Sequence, residues 1–297
     1  MQIQHLRHKS IDYEKWDLAI KQSINHLGYA YSWYLDIVSP GWEALVSDDY
    51  KYVMPLPVKR KYKIPYLTQP ALTQQLGIFS KNEISEEIIQ LFIKKIPYYS
   101  YQINLNECNF NSDVIKQTNY ILKTDDSYEN IAQKYSKNTI RNIEKAHKNR
   151  LKIKEYLSVD EFLKLFSEVN PDAAGPINNI YKPILTKGHE KAMIRICGAY
   201  TTENELISGL SLFFTGNRIV CLLLASNDNG KKTSAMFLLI DHLIETFAAS
   251  DKIIDFEGSM IDGIARFYKG FGAENQPYFI LKKMRPAFLV KTIQRLS

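Results

Sequence analysis

Long apolar runs are missing from this 297-residue sequence. The longest wholly apolar stretch, Ile219 to Ala225, falls far short of the ~20 residues that cross a bilayer, so no membrane span is expected. Cysteine is scarce: Cys108, Cys197 and Cys221 are odd in number and widely spaced, and no pair has zinc-ligand spacing. Cys197 and Cys221 sit in apolar runs, which points to buried thiols in a reducing compartment. The six histidines are scattered, without an HxH or HExxH pattern, so neither a metal centre nor a tightly bound cofactor is expected. Low-complexity segments are absent too. The first residues show no signal-peptide pattern, which sets the expectation of a cytoplasmic protein.

What is present is ordinary in bulk. Hydrophobic residues make up 45% and charged residues 24%, a soluble globular balance, and the length suits two domains better than one. The net charge of +6 is concentrated. From Lys134 to Lys154 there are eight Lys or Arg and one acid, Glu144; that segment is +7 and leaves the rest near −1. One basic element facing a local anionic partner is therefore expected, and a general nucleic-acid coat is not, nor is DNA an expected partner.

Periodicity divides the chain into two similar halves. Helical spacing covers Ile11 to Ile24, with Trp16, Ile20 and Ile24 on one side, and then Ala30 to Val38. A hairpin follows, Trp42–Val46 and Tyr50–Val58, with Pro55 and Pro57 placing the second strand at an edge or its end. After a polar loop come a helix, Ser85–Lys95, and strands Tyr99–Leu105 and Thr118–Leu122. Ser136 caps a helix on which Lys137, Arg141, Lys145 and Lys148 form a stripe, while Ile140 and Ile143 point toward packing. The second half repeats the order. Helices Val159–Val169 and Ile177–Leu185 precede the hairpin Lys191–Tyr200 and Leu206–Phe214. The apolar strand Arg218–Ala225 is next, and the loop Ser226–Ser234 leads into a helix. That helix buries Met236, Phe237, Leu239, Ile240, Leu243, Ile244 and Phe247.

The stretch Asp251–Ala273 is the most informative. Lys252–Glu257 reads as a strand broken by Gly258 and Ser259. Ile261, Ile264, Phe267 and Tyr268 then make one face of a short helix stopped by Gly270 and Gly272. Arg266-Phe-Tyr-Lys-Gly-Phe271-Gly-Ala resembles the last helix of the GNAT acyltransferases. Asp255-Phe256-Glu257-Gly258 together with Phe267-Tyr268-Lys269-Gly270-Phe271-Gly272 equally resembles the Fem-type aminoacyltransferases, which are built from two GNAT-like halves. Here tyrosine stands where the Fem pattern has lysine, and the lysine is displaced by one, about 100° around a helix. Ser136-Lys-Asn-Thr139-Ile-Arg141-Asn-Ile143-Glu-Lys-Ala146 is loosely similar to a second Fem pattern, with one extra residue before the arginine. The resemblance implies an α/β (α+β) chain of two tandem GNAT-like domains, 1–125 and 151–297, joined by a basic helical connector, 126–150. Each domain would be a mixed twisted sheet flanked by helices.

The activity implied is direct acyl transfer to an amine, without a covalent enzyme intermediate. By this resemblance Tyr268 protonates the leaving thiolate; at helical spacing it equally suits the core. Asp255 and Glu257, two apart on a strand and so on one face, supply a general base, or cap the following helix or pair with Arg266. Thr233 and Ser234, at a helix start with Lys231 and Lys232 beside them, can hold the phosphates of an acyl-CoA donor or form an ordinary cap. The loop departs from the usual GNAT phosphate signature, with serine in a glycine place. Lys269 and Arg266 can bind a phosphate or stabilise an oxyanion, or form a solvated helix face; Arg141 and the amides of Gln69, Gln74 and Gln75 can line an acceptor site. The acceptor is expected to be a small amine, an amino sugar or a cell-wall precursor. A tRNA-borne donor is the Fem-like alternative; the connector is short for a long tRNA-binding arm, which favours the thioester. A non-catalytic scaffold is the remaining reading.

Overall fold

Side-chain caps start most of the longer helices. Asp12 accepts hydrogen bonds from the Glu14 and Lys15 amides, and Ser85, Ser127, Ser136 and Ser158 each accept one from the amide three residues on. In this computed structural model, residues 1–112, 114–258 and 261–283 are described. Ser259, expected to break a strand, and the end of the expected second domain after Lys283 lie outside them.

The backbone forms two units, Met1–Gln117 with the chain from Pro277 on, and Thr118–Gln276. The first begins with β1 (Ile3–Leu6), α1 (Tyr13–Gln22), α2 (Ser32–Val38), β2 (Glu43–Ser47) and β3 (Tyr52–Leu56). It continues with β4 (Val58–Lys61), β5 (Ile64–Thr68), α3 (Glu86–Lys95), β6 (Tyr101–Leu105) and β7 (Ile115–Gln117). β1, β2 and β3 make an antiparallel sheet with β3 at its edge, where Pro55 costs no ladder bond. Leu45, Met54, Leu56, Ile89, Phe92 and Ile103 fill the core of this unit.

The second unit runs β8 (Tyr120–Lys123), α4 (Tyr128–Ala132), α5 (Lys137–Lys148), β9 (Lys152–Lys154), α6 (Val159–Val169) and a single turn α7 (Ala174–Pro176). After a π-helical stretch, Ile177–Tyr181, come α8 (Lys182–Glu190), β10 (Ile194–Tyr200), β11 (Leu206–Thr215) and β12 (Arg218–Ser226). α9 (Asp228–Thr233), α10 (Ala235–Phe247), β13 (Ile253–Asp255), α11 (Asp262–Lys269) and β14 (Glu274–Asn275) complete it. Its seven strands lie in the order β14-β8-β13-β12-β11-β10-β9, and only β12 and β13 are parallel. Ile207, Leu210, Ile219, Leu239, Ile240, Ile244 and Ile254 are buried on one side of it. Burying each such side chain contributes roughly 1.5–3 kcal/mol. The chain then returns to the first unit as β15 (Tyr278–Lys283), between β6 and β7.

The mixed α/β architecture with helix-flanked sheets is as expected. The partition differs from the sequence reading: β8, α4 and α5 belong to the second unit, and β15 to the first. The hairpin β4–β5 was missed because Lys-Arg-Lys-Tyr-Lys has no apolar alternation. Ser226–Ser234 is not a loop; Asn227 caps a helix over most of it. Three apolar residues expected to pack are exposed instead: Ile24, Ile140 and Ile261. Ile264 is exposed as well, so the buried face of α11 is Tyr268 with part of Phe267.

Candidate functional site

The second sheet is open at one place. β12 and β13 pair only at Arg218–Ile253, Ile219–Ile254 and Val220–Asp255. β13 pairs with β8 along its whole length and the chain stays with β8 beyond that point, the Phe256 amide donating to the Tyr120 carbonyl at 2.9 Å. A bulge sits beside the parting: Ser211 faces Leu223 and Leu212 faces Cys221, so Leu222 has no opposite residue on β11. Residues 221–226 of β12 therefore have β11 on one edge and, among the described residues, no strand on the other. A buried ion pair clasps the apex. Arg218 Nη1 donates to Asp255 Oδ2 at 2.5 Å, and Arg218 Nη2 to Gln276 Oε1 at 3.1 Å.

Tyr268 lies at this parting. Its ring stacks on Phe256 with centroids 4.7 Å apart and 16° between planes, and Tyr120 flanks it at 6.4 Å. The side chain is 6% exposed, and its hydroxyl has no hydrogen-bond partner among the described residues. Burial first, then the neighbouring Cys221, Glu257 and Asp255, push its pKa well above the ordinary phenol value, which keeps the proton in place. Glu257 does not share a strand face with Asp255. The strand ends at Asp255, and Glu257 has left-handed backbone, φ 52°, with its amide donating to Asp255 Oδ1 at 2.9 Å. Gly258 follows because a side chain there would collide with the Thr118 carbonyl.

The expected phosphate-binding residues fall on either side of a sharp joint. Gly230 lets α9 press against the Ile207 carbonyl. Lys231 and Lys232 are exposed in the last turn of α9, Lys231 lying 3.5 Å from Asp228. The Thr233 hydroxyl donates to the Asn229 carbonyl within α9 and accepts from no amide at a helix start. Ser234, φ 63°, separates the two helices, and its hydroxyl donates to Asn142 Oδ1 of α5 at 2.8 Å in place of capping α10. α11 meets the same region: the Ser136 amide donates to the Gly270 carbonyl, Phe267 packs edge-on against Phe237 at 4.7 Å, and Phe271 lies against both Tyr135 and Phe237.

Thus one neighbourhood of the second unit holds Asp255, Glu257, Tyr268 and Lys269, whose Nζ lies over the Tyr120 ring at 5.4 Å. Ser234 joins α5, where Arg141 is exposed and donates to Asn138 Oδ1 at 2.8 Å. Arg266 is exposed, its Nε 3.4 Å from the Asp262 carbonyl. Gln69, Gln74 and Gln75 belong to the first unit. Gln69 bonds both the Thr73 carbonyl and the Asn104 amide, and Gln75 Nε2 donates to Gln74 Oε1, so these amides brace their own loop.

Two buried charges of the second unit, Arg218 and Asp241, escaped the sequence reading. Arg218 was visible as a lone cation opening an apolar strand, a pattern that requires a buried partner. Asp241 interrupts the apolar face of α10. Its Oδ1 accepts from the Tyr128 and Tyr135 hydroxyls at 2.9 and 3.0 Å, tying α10 to the segment before α5. A groove of about 680 Å³ in the first unit, lined by Lys15, Tyr50, Lys51 and Lys81 among others, contains none of the expected site residues. Among the described residues no helix is long and apolar enough to cross a membrane.

No protein-family model matches the sequence, and no curated protein does. Solved structures do match. FemX superposes with a TM-score of 0.67 at 13% identity, covering 99% of this chain and all of that one. A GNAT-family acetyltransferase from Colwellia psychrerythraea gives 0.53 at 10% identity over 96% of this chain and all of its own. A tandem GNAT protein from the clavulanic acid biosynthesis pathway gives 0.50 at 11% identity, with the same coverage. The chain therefore has the FemAB-like tandem GNAT fold.

Proposed function

We propose that a chain with this fold, carrying an unpartnered buried phenol where two parallel strands part, is an N-acyltransferase that uses an acyl thioester of the acyl-CoA type. The Tyr268 hydroxyl carries the reading. That hydroxyl makes no hydrogen bond to a described residue, and a ligand group at the parting would give it one. The unpaired edge of β12 offers backbone N–H and C=O groups that an extended donor arm can join as an added strand. In this reading the first-turn amides of α10, with Lys231, Lys232, Thr233 and Ser234 at the joint and Lys269, hold the donor phosphates.

The step is a direct displacement. The acceptor amine attacks the thioester carbonyl carbon, a C–N bond forms and the C–S bond breaks. Glu257 takes the proton that the amine loses, directly or through water, and Tyr268 gives its proton to the departing thiolate. Asp255 is assigned to position Glu257, because its oxygens already bond Arg218 and the Glu257 amide. The acceptor class is a small amine or an amino sugar, with Arg266 and Arg141 as candidate contacts.

Calorimetric titration with acetyl-CoA, longer acyl-CoAs and free CoA tests this. Saturable binding that weakens in Thr233→Glu and Ser234→Glu supports it; no binding at millimolar ligand overturns it. If Tyr268→Phe and Glu257→Gln both leave a measured transfer rate unchanged, the catalytic assignment fails and a binding scaffold remains. A second reading, a Fem-like aminoacyltransferase using aminoacyl-tRNA and a cell-wall precursor, is favoured by the stripe Lys137, Arg141, Lys145 and Lys148, all exposed on α5. Its mark would be salt-dependent tRNA binding lost with that stripe.

A further inference from the structure

We infer that the β4–β5 hairpin of the first unit, with the adjoining end of α3, is a binding surface for single-stranded nucleic acid. No Asp or Glu occurs between Asp49 and Glu83, or between Glu87 and Glu107, and these two stretches come together in one sheet. Val58 pairs with Leu67, both buried, so alternation turns Lys59, Lys61 and Tyr66 to the outer face. Lys59 and Tyr66 are direct cross-strand partners. β5 runs parallel to β6 with Leu67 opposite Tyr101, which sets Tyr99 beside the start of β5, at the hairpin-tip end. Lys94 and Lys95, exposed at the end of α3, precede it by a few residues.

The tip itself is strained. Lys61 pairs with Ile64, leaving a two-residue turn in which Tyr62 and Lys63 both have left-handed backbone, φ 52° and 64°. Asn-Gly is the residue pair such turns favour; tyrosine and lysine are poor choices for folding. Strain held at an exposed tip directs attention to what the tip presents. Tyr62 is 73% exposed and Tyr99 67%, with Lys59, Arg60, Lys61 and Lys63 exposed around them. Among the described residues, Arg60 is the one of these cations with an acid within reach, Glu43 at 4.0 Å.

Exposed rings among cations match the stacking-and-phosphate chemistry of single-strand binding. An anionic membrane would attract the same charge. Bilayer insertion, however, uses exposed aliphatic, Phe or Trp side chains, and among residues 59–66 and 94–99 the large exposed apolar side chains are Tyr62 and Tyr99 alone. The surface stands on its own geometry, independent of the transfer reaction.

The test is fluorescence anisotropy of the full chain with a short labelled oligoribonucleotide, from about 50 to 300 mM salt. Binding in the ~1–100 µM range is expected, steeply salt-dependent. Tyr62→Ala should weaken it by about 5- to 150-fold. Lys59→Gln with Lys61→Gln and Lys63→Gln should lower the log–log salt slope by about 2. The decisive variant is Tyr62→Asn with Lys63→Gly: it relieves the turn, so Tm should rise by about 2–8 °C while affinity falls. Loss of binding in a more stable protein excludes misfolding as the cause. Absence of binding at the lowest salt, or equal binding by the Asn-Gly variant, overturns the inference. So does a preference for anionic vesicles with no effect of the oligoribonucleotide.

Discussion

Asp255 has two candidate roles, and breaking its bond with Arg218 separates them. Both side chains are nearly inaccessible, 3% and 6% exposed, and they meet at 2.5 Å. Asp255 also accepts the Glu257 amide, and Arg218 also donates to Gln276. Removing one partner of such a pair leaves a buried charge uncompensated, which costs about 3–5 kcal/mol. Arg218→Met and Asp255→Asn should each lower stability by an amount in that range. At about 2–4 °C per kcal/mol for a unit of this size, the Tm drops by roughly 6–20 °C. The double variant Arg218→Met/Asp255→Asn removes both charges, and its loss should be well below the sum of the singles.

The assay is urea unfolding of all four proteins, with calorimetric donor binding in parallel. Because the pair closes the apex of the parted strands, donor affinity should follow stability through the cycle. Asp255→Asn unfolding at the wild-type midpoint, while transfer alone collapses, would refute this reasoning and return Asp255 to the role of base.

Three further outcomes follow from buried groups. Asp241 is held above the ordinary carboxylate range, burial outweighing the two tyrosine hydrogen bonds; the folded state therefore binds its proton more readily than the unfolded chain. Asp241→Asn keeps the accepting oxygen, so its stability advantage should be largest near neutral pH and shrink as pH falls through the raised pKa toward 3.8, measured by urea midpoints across that window. Glu43 behaves oppositely. Burial alone would raise it, but donors from Tyr98, Arg7 and His5 together lower it. Its contribution is present above 4.5 and lost as pH falls through the lowered value, and Glu43→Gln should flatten that acid limb, costing about 2 kcal/mol at pH 7. Burial pushes the Cys197 thiol up to about 12 and Cys221 well above its ordinary value, whereas Cys108 is half-buried. A thiol-reactive disulfide reagent at mildly alkaline pH should titrate Cys108 in the native protein and all three only in denaturant.

Helix starts were readable because serine and aspartate caps are local: Ser85, Ser136 and Ser158 each mark a start that the structure reproduces. One hairpin in each half, β2–β3 and β10–β11, was readable because alternation is local too. What escaped depended on partners far away in the chain. β15 could be recognised as a strand, but its place between β6 and β7 depends on pairing across more than 150 residues. The lysine-rich β4 has no apolar pattern because Lys59, Arg60 and Lys61 are all exposed and Val58 alone is buried. α9 was hidden by a loop-like composition, Asp-Asn-Gly-Lys-Lys-Thr, whose helix rests on Asn227 and on Gly230 lying against β11.

The stretch that carried the family resemblance located the site for a reason different from the one the resemblance supplies. Most of its residues are packing residues. Phe256 stacks under Tyr268, Gly258 clears the Thr118 carbonyl, Gly270 faces Thr139 and Phe271 fills the space between Tyr135 and Phe237. Their joint effect is to pull β13 away from β12 after three paired residues and to seat α11 against the joint of α5 and α10. A strand that leaves its neighbour exposes that neighbour's backbone, and the packing that bends it must be specified residue by residue. The motif therefore reports the opening of the sheet, and within it the Tyr268 hydroxyl makes no hydrogen bond to a described residue. Substitution separates the two roles. Phe271→Ala should cost about 3–5 kcal/mol in unfolding experiments, as a large buried ring does. Tyr268→Phe, which keeps the ring and removes only the hydroxyl, should leave stability within about 1 kcal/mol while abolishing the acid that the proposed transfer requires.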